Sequence, residues 1–232
     1  VQPTTKATLN ATPLPRNLYS HSDQTQQWQS SDPTGGATGW GGRINDIAMA
    51  LNTGALPPGI TVNGGSALFL NGANTQGLNY SNADSFGLTR FGDGTAMDTR
   101  LTTLQSVLTF DSGVQLVNAA NGVMASSIRS AQEINDAVNG APALPVAFPN
   151  TGLGQQLAQV AQIIAVQGTL GLNRQIFFAG TGGFDNHEDL VNSQQRLMSG
   201  LDAAINAFMT TLEMRGQLDK VTLFTESEFN RT

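Results

Sequence analysis

The residues of this chain that could do chemistry gather at two places. In "RQIFFAGTGGFDNHEDL", residues 174–190, an apolar run passes through glycines into Asp185, Asn186 and His187. The chain has only one other histidine, His21. In "KVTLFTESEFNRT", residues 220–232, a second apolar run ends in Glu226 and Glu228, with Arg231 just after them. Asp-x-His past a strand end aims both side chains to one side, because alternate residues share a face. Neutral imidazole with carboxylates suits zinc, manganese or iron, whereas carboxylates alone suit calcium or magnesium. Cysteine is absent, so thiolate ligands are excluded. The expected ligand set is Asp185, His187 and Glu228 around one divalent cation, with zinc, manganese or calcium as the candidates. Such an ion could stabilise a phosphoryl or sulfuryl oxygen and lower the pKa of a bound water. A structural alternative stands beside this one: Asp185 or Asn186 caps the helix that follows, and His187 is a surface residue of its first turn.

Arg231 has two readings, a bidentate clamp on an anionic substrate or a salt bridge to Glu226 or Glu228. His21, Ser22 and Asp23 are sequence neighbours, whereas the groups of a nucleophilic triad converge from separate elements. We therefore expect His21, with Trp28, on a loop at the mouth of the pocket, where His21 contributes to substrate binding.

The elements that must position these residues are clearest in the last third. Leu153, Leu157, Val160, Ala161 and Ile164 share a helical face over 152–167, with Gly168 as the stop. "QIFFAG" is a continuous apolar run, as expected of a strand covered on both sides. From 188 to 215 apolar residues, Phe208 among them, recur every three or four positions before Gly216, and "KVTLFTES" predicts another buried strand. Helix, strand, helix, strand with short links predicts an α/β fold with a doubly wound, mostly parallel sheet. Residues 174–180 and 220–226 should be neighbouring strands, with helix 188–215 across them. Ligands in such sheets bind at the carboxyl ends of strands, where both polar clusters lie.

Upstream, the first forty residues are turn-rich. "RINDIAMALN" predicts a short helix with Ile44, Ile47, Ala48 and Leu51 on one face. "GITVNGG" and "SALFLNG" predict two strands split by a hairpin-like Asn63-Gly64-Gly65. A Gly/Asn-rich loop from about 71 to 95 precedes two helices, about 97–109 and 112–139, the latter ending at Asn139-Gly140. We expect one α/β domain over 1–232, with 55–150 as a helical and loop-rich cap or insertion and 151–232 as its core.

Composition narrows the partners. A net charge of −6 with 12% charged residues leaves no electrostatic footprint for nucleic acid, and no apolar run is long enough to span a bilayer. Abundant Gly, Asn, Thr, Ser and Gln fits an exported, loop-rich protein. The polar start at Val1 and the stop just past an apolar run suggest a piece of a longer protein.

"SHSDQTQQWQSSDPTGGATGWGGRINDI", "RQIFFAGTGGFDNHEDL" and "VTLFTESEFNRT" together resemble the bacterial domain-of-unknown-function family number 1501. The resemblance covers nearly the whole chain, weakly in 55–145 and strongly in the last eighty residues. It implies relation to the alkaline phosphatase and sulfatase superfamily, the corresponding sheet, twin-arginine export and a periplasmic, cell-surface or secreted location. It implies too that a first strand with the nucleophile lies upstream and an Asp-His-Gly segment downstream of these residues. On that resemblance Asp185 and His187 correspond to the superfamily's Asp and His ligands, and Glu228 takes the place of a ligand Asp. Phe229 stands where a neighbouring His ligand would be, and Asn230 where the family has Gly. The resemblance thus implies a single-metal, sulfatase-like or degenerate centre rather than a full two-zinc one. Two function classes follow: a metal-dependent hydrolase of phosphate or sulfate esters with an anionic ester substrate, and a non-catalytic envelope or surface protein on the same scaffold.

Overall fold

The computed structural model describes residues 16–65, 67–80 and 94–228. Its centre is a three-stranded, all-parallel sheet. Strand β1 (Gly59–Thr61) lies between β2 (Leu78–Asn79) and β3 (Ile176–Phe178). Ile60 stands opposite Leu78 on one side and Phe177 on the other. The ladder runs slightly past the strands, with Val62 N–H donating to Phe178 O at 2.9 Å and Tyr80 N–H to Thr61 O at 2.8 Å.

The described α-helices are α1 (His21–Ser30), α2 (Trp40–Ala48), α3 (Thr95–Thr109), α4 (Gln115–Asn139), α5 (Gly152–Ala165), α6 (Gln167–Leu170) and α7 (Leu190–Met214). Parallel strands need long crossovers: α3 to α6 lie between β2 and β3, whereas the described residues between β1 and β2 hold only a 3-10 turn, Leu68–Leu70. No described helix is long and apolar enough to cross a membrane.

Both faces of the sheet are covered, as the apolar run of β3 predicts. On one side Ile60, Val62 and Phe177 meet the main core, built from Ile134 and Val138 of α4, Leu157, Val160 and Ile164 of α5, and Ala204, Phe208 and Leu212 of α7. Ile176 and Phe178 point the other way, onto Phe69 and Leu70, where Trp28 of α1 and Trp40 of α2 also pack. The period of two along β3 sorts its rings between two cores.

Several expectations need correction. The expected strand "SALFLNG" holds a 3-10 turn, Leu68–Leu70, and β1 has parallel neighbours instead of a hairpin partner. The consecutive residues Phe69 and Leu70 are both buried, which alternation along a half-buried strand would not allow. The helix around 43–52 begins earlier, at Trp40, and of its expected face only Ala48 is buried. Ile44, Ile47 and Leu51 are exposed, Ile47 by 70%, while Gly41, Gly42, Asn45 and Ala48 face inward. Gly42 accounts for this: a Cβ there would lie 2.1 Å from the carbonyl carbon of Asn71, so only glycine lets α2 approach that backbone.

Helix α5 ends at Ala165, close to the expected 167, and a separate short helix, α6, carries the chain past the expected stop at Gly168 to Gly171 (φ +65°). Residues 59–61 and 78–79, inside the stretch read as a cap, supply two of the three strands. Finally, 221–227 is not a strand among the described residues: β3 pairs with β1, and Leu223 and Phe224 are exposed. Phe208 is buried as expected.

Candidate functional site

The loop leaving the carboxyl end of β3 is held at three points. Gln156 of α5 clamps Gly180 twice: its Oε1 accepts from Gly180 N–H at 2.8 Å, and its Nε2 donates to Gly180 O at 2.9 Å. Gly183 turns the chain at φ +92°, a conformation that favours glycine. Then Gln194 of α7 donates to Phe184 O at 3.2 Å, and Asn186 Nδ2 donates back to Gly183 O at 2.9 Å. Asp185 and His187 sit on this loop, whose start and turn are both fixed.

Helix α1 places the other histidine. Its N-cap is Ser20, whose Oγ accepts from Asp23 N–H, as capping residues do. The expected loop around His21 is therefore the first turn of a helix. Asp23 is engaged by Ser20 and by Asn17, so it belongs to the cap and not to a triad with His21. Arg43 of α2 ties the far end of α1 down by donating to Ser30 O at 2.9 Å.

These segments and 221–228 meet in one chain of four ionisable side chains. His21 Nδ1 lies 3.1 Å from Glu228 Oε1, and His21 Nε2 lies 3.3 Å from Asp185 Oδ2. The same Asp185 oxygen lies 3.3 Å from His187 Nε2. Both nitrogens of His21 thus face carboxylates, and both can be satisfied only as N–H donors, in the imidazolium form. The Glu228 hydrogen bond raises the His21 pKa above its ordinary value, opposed by desolvation and aided by the charge of Asp185. The carboxyl of Asp185 is held below its ordinary value, first by the hydrogen bond with His187, against desolvation, and further by its electrostatic interactions with His187 and His21. The site is open: the side chains of His21, Asp185 and Glu228 are 50%, 44% and 40% exposed, and that of His187 77%.

Of the expected ligands, Asp185 and His187 touch each other, and Glu228 reaches Asp185 only through His21, whose ring stands between the two carboxylates. His21 is a central member of the cluster, not only a residue at its mouth. Glu226 is exposed and takes no part in this chain. Arg231, Phe229 and Asn230 lie outside the described residues. The capping alternative for Asp185 and Asn186 is not what the helix does: α7 starts at Leu190, and its N-cap, Asp189, makes no side-chain cap bond.

Two imidazoles and two carboxylates are a donor set that a zinc or manganese ion accepts. Among the described residues no group of three or more His, Asp or Glu side chains is arranged to hold a metal ion.

Beside the cluster lie features that sequence reading missed. The Gln156 clamp carries no motif, since an amide on a helix face looks like any solvated residue. The aromatic group of Trp28, Trp40, Phe69, Phe178 and Phe224 was equally invisible, because its members come from five separate segments. The seven-residue spacing of His21 and Trp28, two turns on one face of α1, was the one available signal.

Residues 4–232 match the model of the family described as "Protein of unknown function (DUF1501)", and the chain belongs to that family. No curated protein and no solved structure matches it.

Proposed function

We propose, for this member of a family without an assigned function, that the chain is the core of a metal-assisted hydrolase of phosphate or sulfate esters, acting in the periplasm, at the cell surface or in the medium. The fold that goes with this reading is the doubly wound sheet of the alkaline phosphatase and sulfatase superfamily. The supporting observation is the convergence of His21, Asp185, His187 and Glu228 from segments up to 207 residues apart. They meet on the loop that leaves a parallel strand, the place where α/β sheets bind ligands. Solvated acids and histidines have no packing reason to gather there, and titratable groups gathered in this way, here with His21 and Asp185 shifted, are a mark of functional sites.

In this reading Asp185, His187 and Glu228 would hold a divalent cation, and His21, once neutral, would supply a second imidazole between the two carboxylates. When bound, the cation would set positive charge against the non-bridging oxygens of an anionic ester. The chain's own residues do the positioning. Gln156 and Gln194 fix the loop, α1 presents His21, and Asp185 orients both rings through one oxygen. Arg231, three residues past Glu228, is assigned to the substrate anion.

A specific observation favours the second reading, a non-catalytic binding or structural protein of the envelope. The four side chains form an open chain instead of a closed shell, and Phe229 stands where the related pattern has a ligand. Aryl phosphate and aryl sulfate hydrolysis by the full-length protein, with and without added manganese or zinc, separates the two. Cation-dependent turnover that is lost in Asp185→Asn supports the hydrolase. A folded, cation-loaded protein that releases no product would leave the binding role.

A further inference from the structure

The three segments that meet in the ionisable chain meet a second time, through rings. Helix α1 carries both His21 and Trp28, β3 and its exit loop carry Phe178 and Asp185, and 221–228 carries Phe224 and Glu228. The rings form one continuous group. Phe224 lies on Trp40 with centroids 5.6 Å apart at 30°, and Trp40 meets Phe69 edge-on at 4.6 Å. Phe69 in turn touches Trp28 at 6.2 Å and Phe178 at 5.8 Å.

The two meeting places are matched in reach. Seven residues of α1 separate His21 from Trp28 by about 10.5 Å, and four extended residues from Phe224 to Glu228 span up to about 13–14 Å. Residues 222–226 make no backbone hydrogen bond with another described residue, so their side chains must fix their course there. Phe224 is 54% exposed. Burial in a core does not account for its place, whereas the face of Trp40 does.

We infer that Phe224, seated on Trp40, is the positioning residue that delivers Glu228 to His21. It does so as the last ring of the aromatic group that also anchors α1 and β3. The assignment stands on the ring and side-chain geometry. Only its second readout rests on the proposed cation site.

The test uses the full-length protein with Phe224→Ala and the ring-keeping Phe224→Trp, each with and without Glu228→Gln. The first readout is made with chelator present at one fixed pH. It is the ring resonance of His21, assigned by its loss in His21→Asn. Glu228→Gln should move that resonance in the wild type and in Phe224→Trp, and by less than half as much in Phe224→Ala. The second readout is manganese affinity, expected to fall about ten-fold or more in Phe224→Ala, the scale of losing support for a ligand, and to return in Phe224→Trp. An equal resonance shift in Phe224→Ala overturns the assignment whatever the cation does. If the resonance behaves as expected but the wild type binds no manganese, the positioning role stands and the cation site falls. Should Phe224→Ala not fold, Phe224→Leu, which keeps apolar bulk without the ring, is read by the same criteria.

Discussion

Replacing Gln156 with alanine removes the two hydrogen bonds, at 2.8 and 2.9 Å, that fix Gly180 at the start of the site loop. Each is a neutral amide bond contributing about 1 kcal/mol net, so the loss should be about 2 kcal/mol. The Gly180 groups left behind are only half-buried and regain some water, which keeps the cost from rising further. In a chain of 232 residues this corresponds to a fall in melting temperature of roughly 4–8 °C. Gln155 provides the matched control. It is the preceding residue of the same helix, exposed, with one hydrogen bond to Asn150, and Gln155→Ala should stay within about 0.5 kcal/mol of wild type. Urea unfolding of the three proteins gives the stability difference, and cation titration gives the functional one. Because Asp185 lies five residues beyond Gly180, Gln156→Ala should also bind manganese more weakly than Gln155→Ala does. Equal stability and equal affinity in the two variants would refute the claim that α5 positions the loop.

Phe208→Ala, in the buried contact of α7 with α5, should cost about 3–5 kcal/mol by urea unfolding; a loss under about 1 kcal/mol would mean α7 is not packed as described. Gly42→Ala should destabilise by about 1–3 kcal/mol or more, because its Cβ would overlap backbone atoms that cannot yield. Gly122→Ala, in α4 with nothing within 4 Å, should stabilise by up to about 1 kcal/mol. The carboxyl of Asp46 is held below its ordinary value: desolvation opposes the shift, but Ala73, Asn74 and Thr75 donate hydrogen bonds that outweigh it. A depressed carboxylate adds stability that is complete above the unfolded pKa and disappears as pH falls through the folded one. The melting-temperature gap between wild type and Asp46→Asn should therefore be constant above about pH 5 and close below about pH 4; a gap that widens toward acid would contradict it.

Where periodicity was strong the sequence was a good guide, and where close approach decided the structure it was not. Helices α3, α4, α5 and α7 were legible within a few residues, because their apolar positions recur at helical spacing. Strand β3 was legible as a run covered on both sides. The inward face of α2 was legible only at Ala48, because the rest of it consists of glycines and an asparagine, which register as turn-like and polar. Helix α1, "HSDQTQQWQS", has almost no apolar face, is started by the Ser20 cap and buries only Gln29 and Ser30, so it reads as a loop. Asp185, His187 and Glu228 were singled out by counting past strand-like runs, although the second run forms no strand among the described residues. Its apolar residues serve another purpose, with Phe224 turned to Trp40. The place of His21 between two carboxylates could not be read at all, since 207 residues separate it from Glu228.

The most direct test of the site is calorimetric titration of zinc and of manganese into the full-length protein after chelation, in wild type, His187→Ala and His21→Ala. One ion should bind per chain, with affinity reduced about ten-fold or more in each variant while the melting temperature in chelator barely moves. Absence of binding to the folded wild type, or equal affinity in all three proteins, would show that these four side chains do not form a cation site.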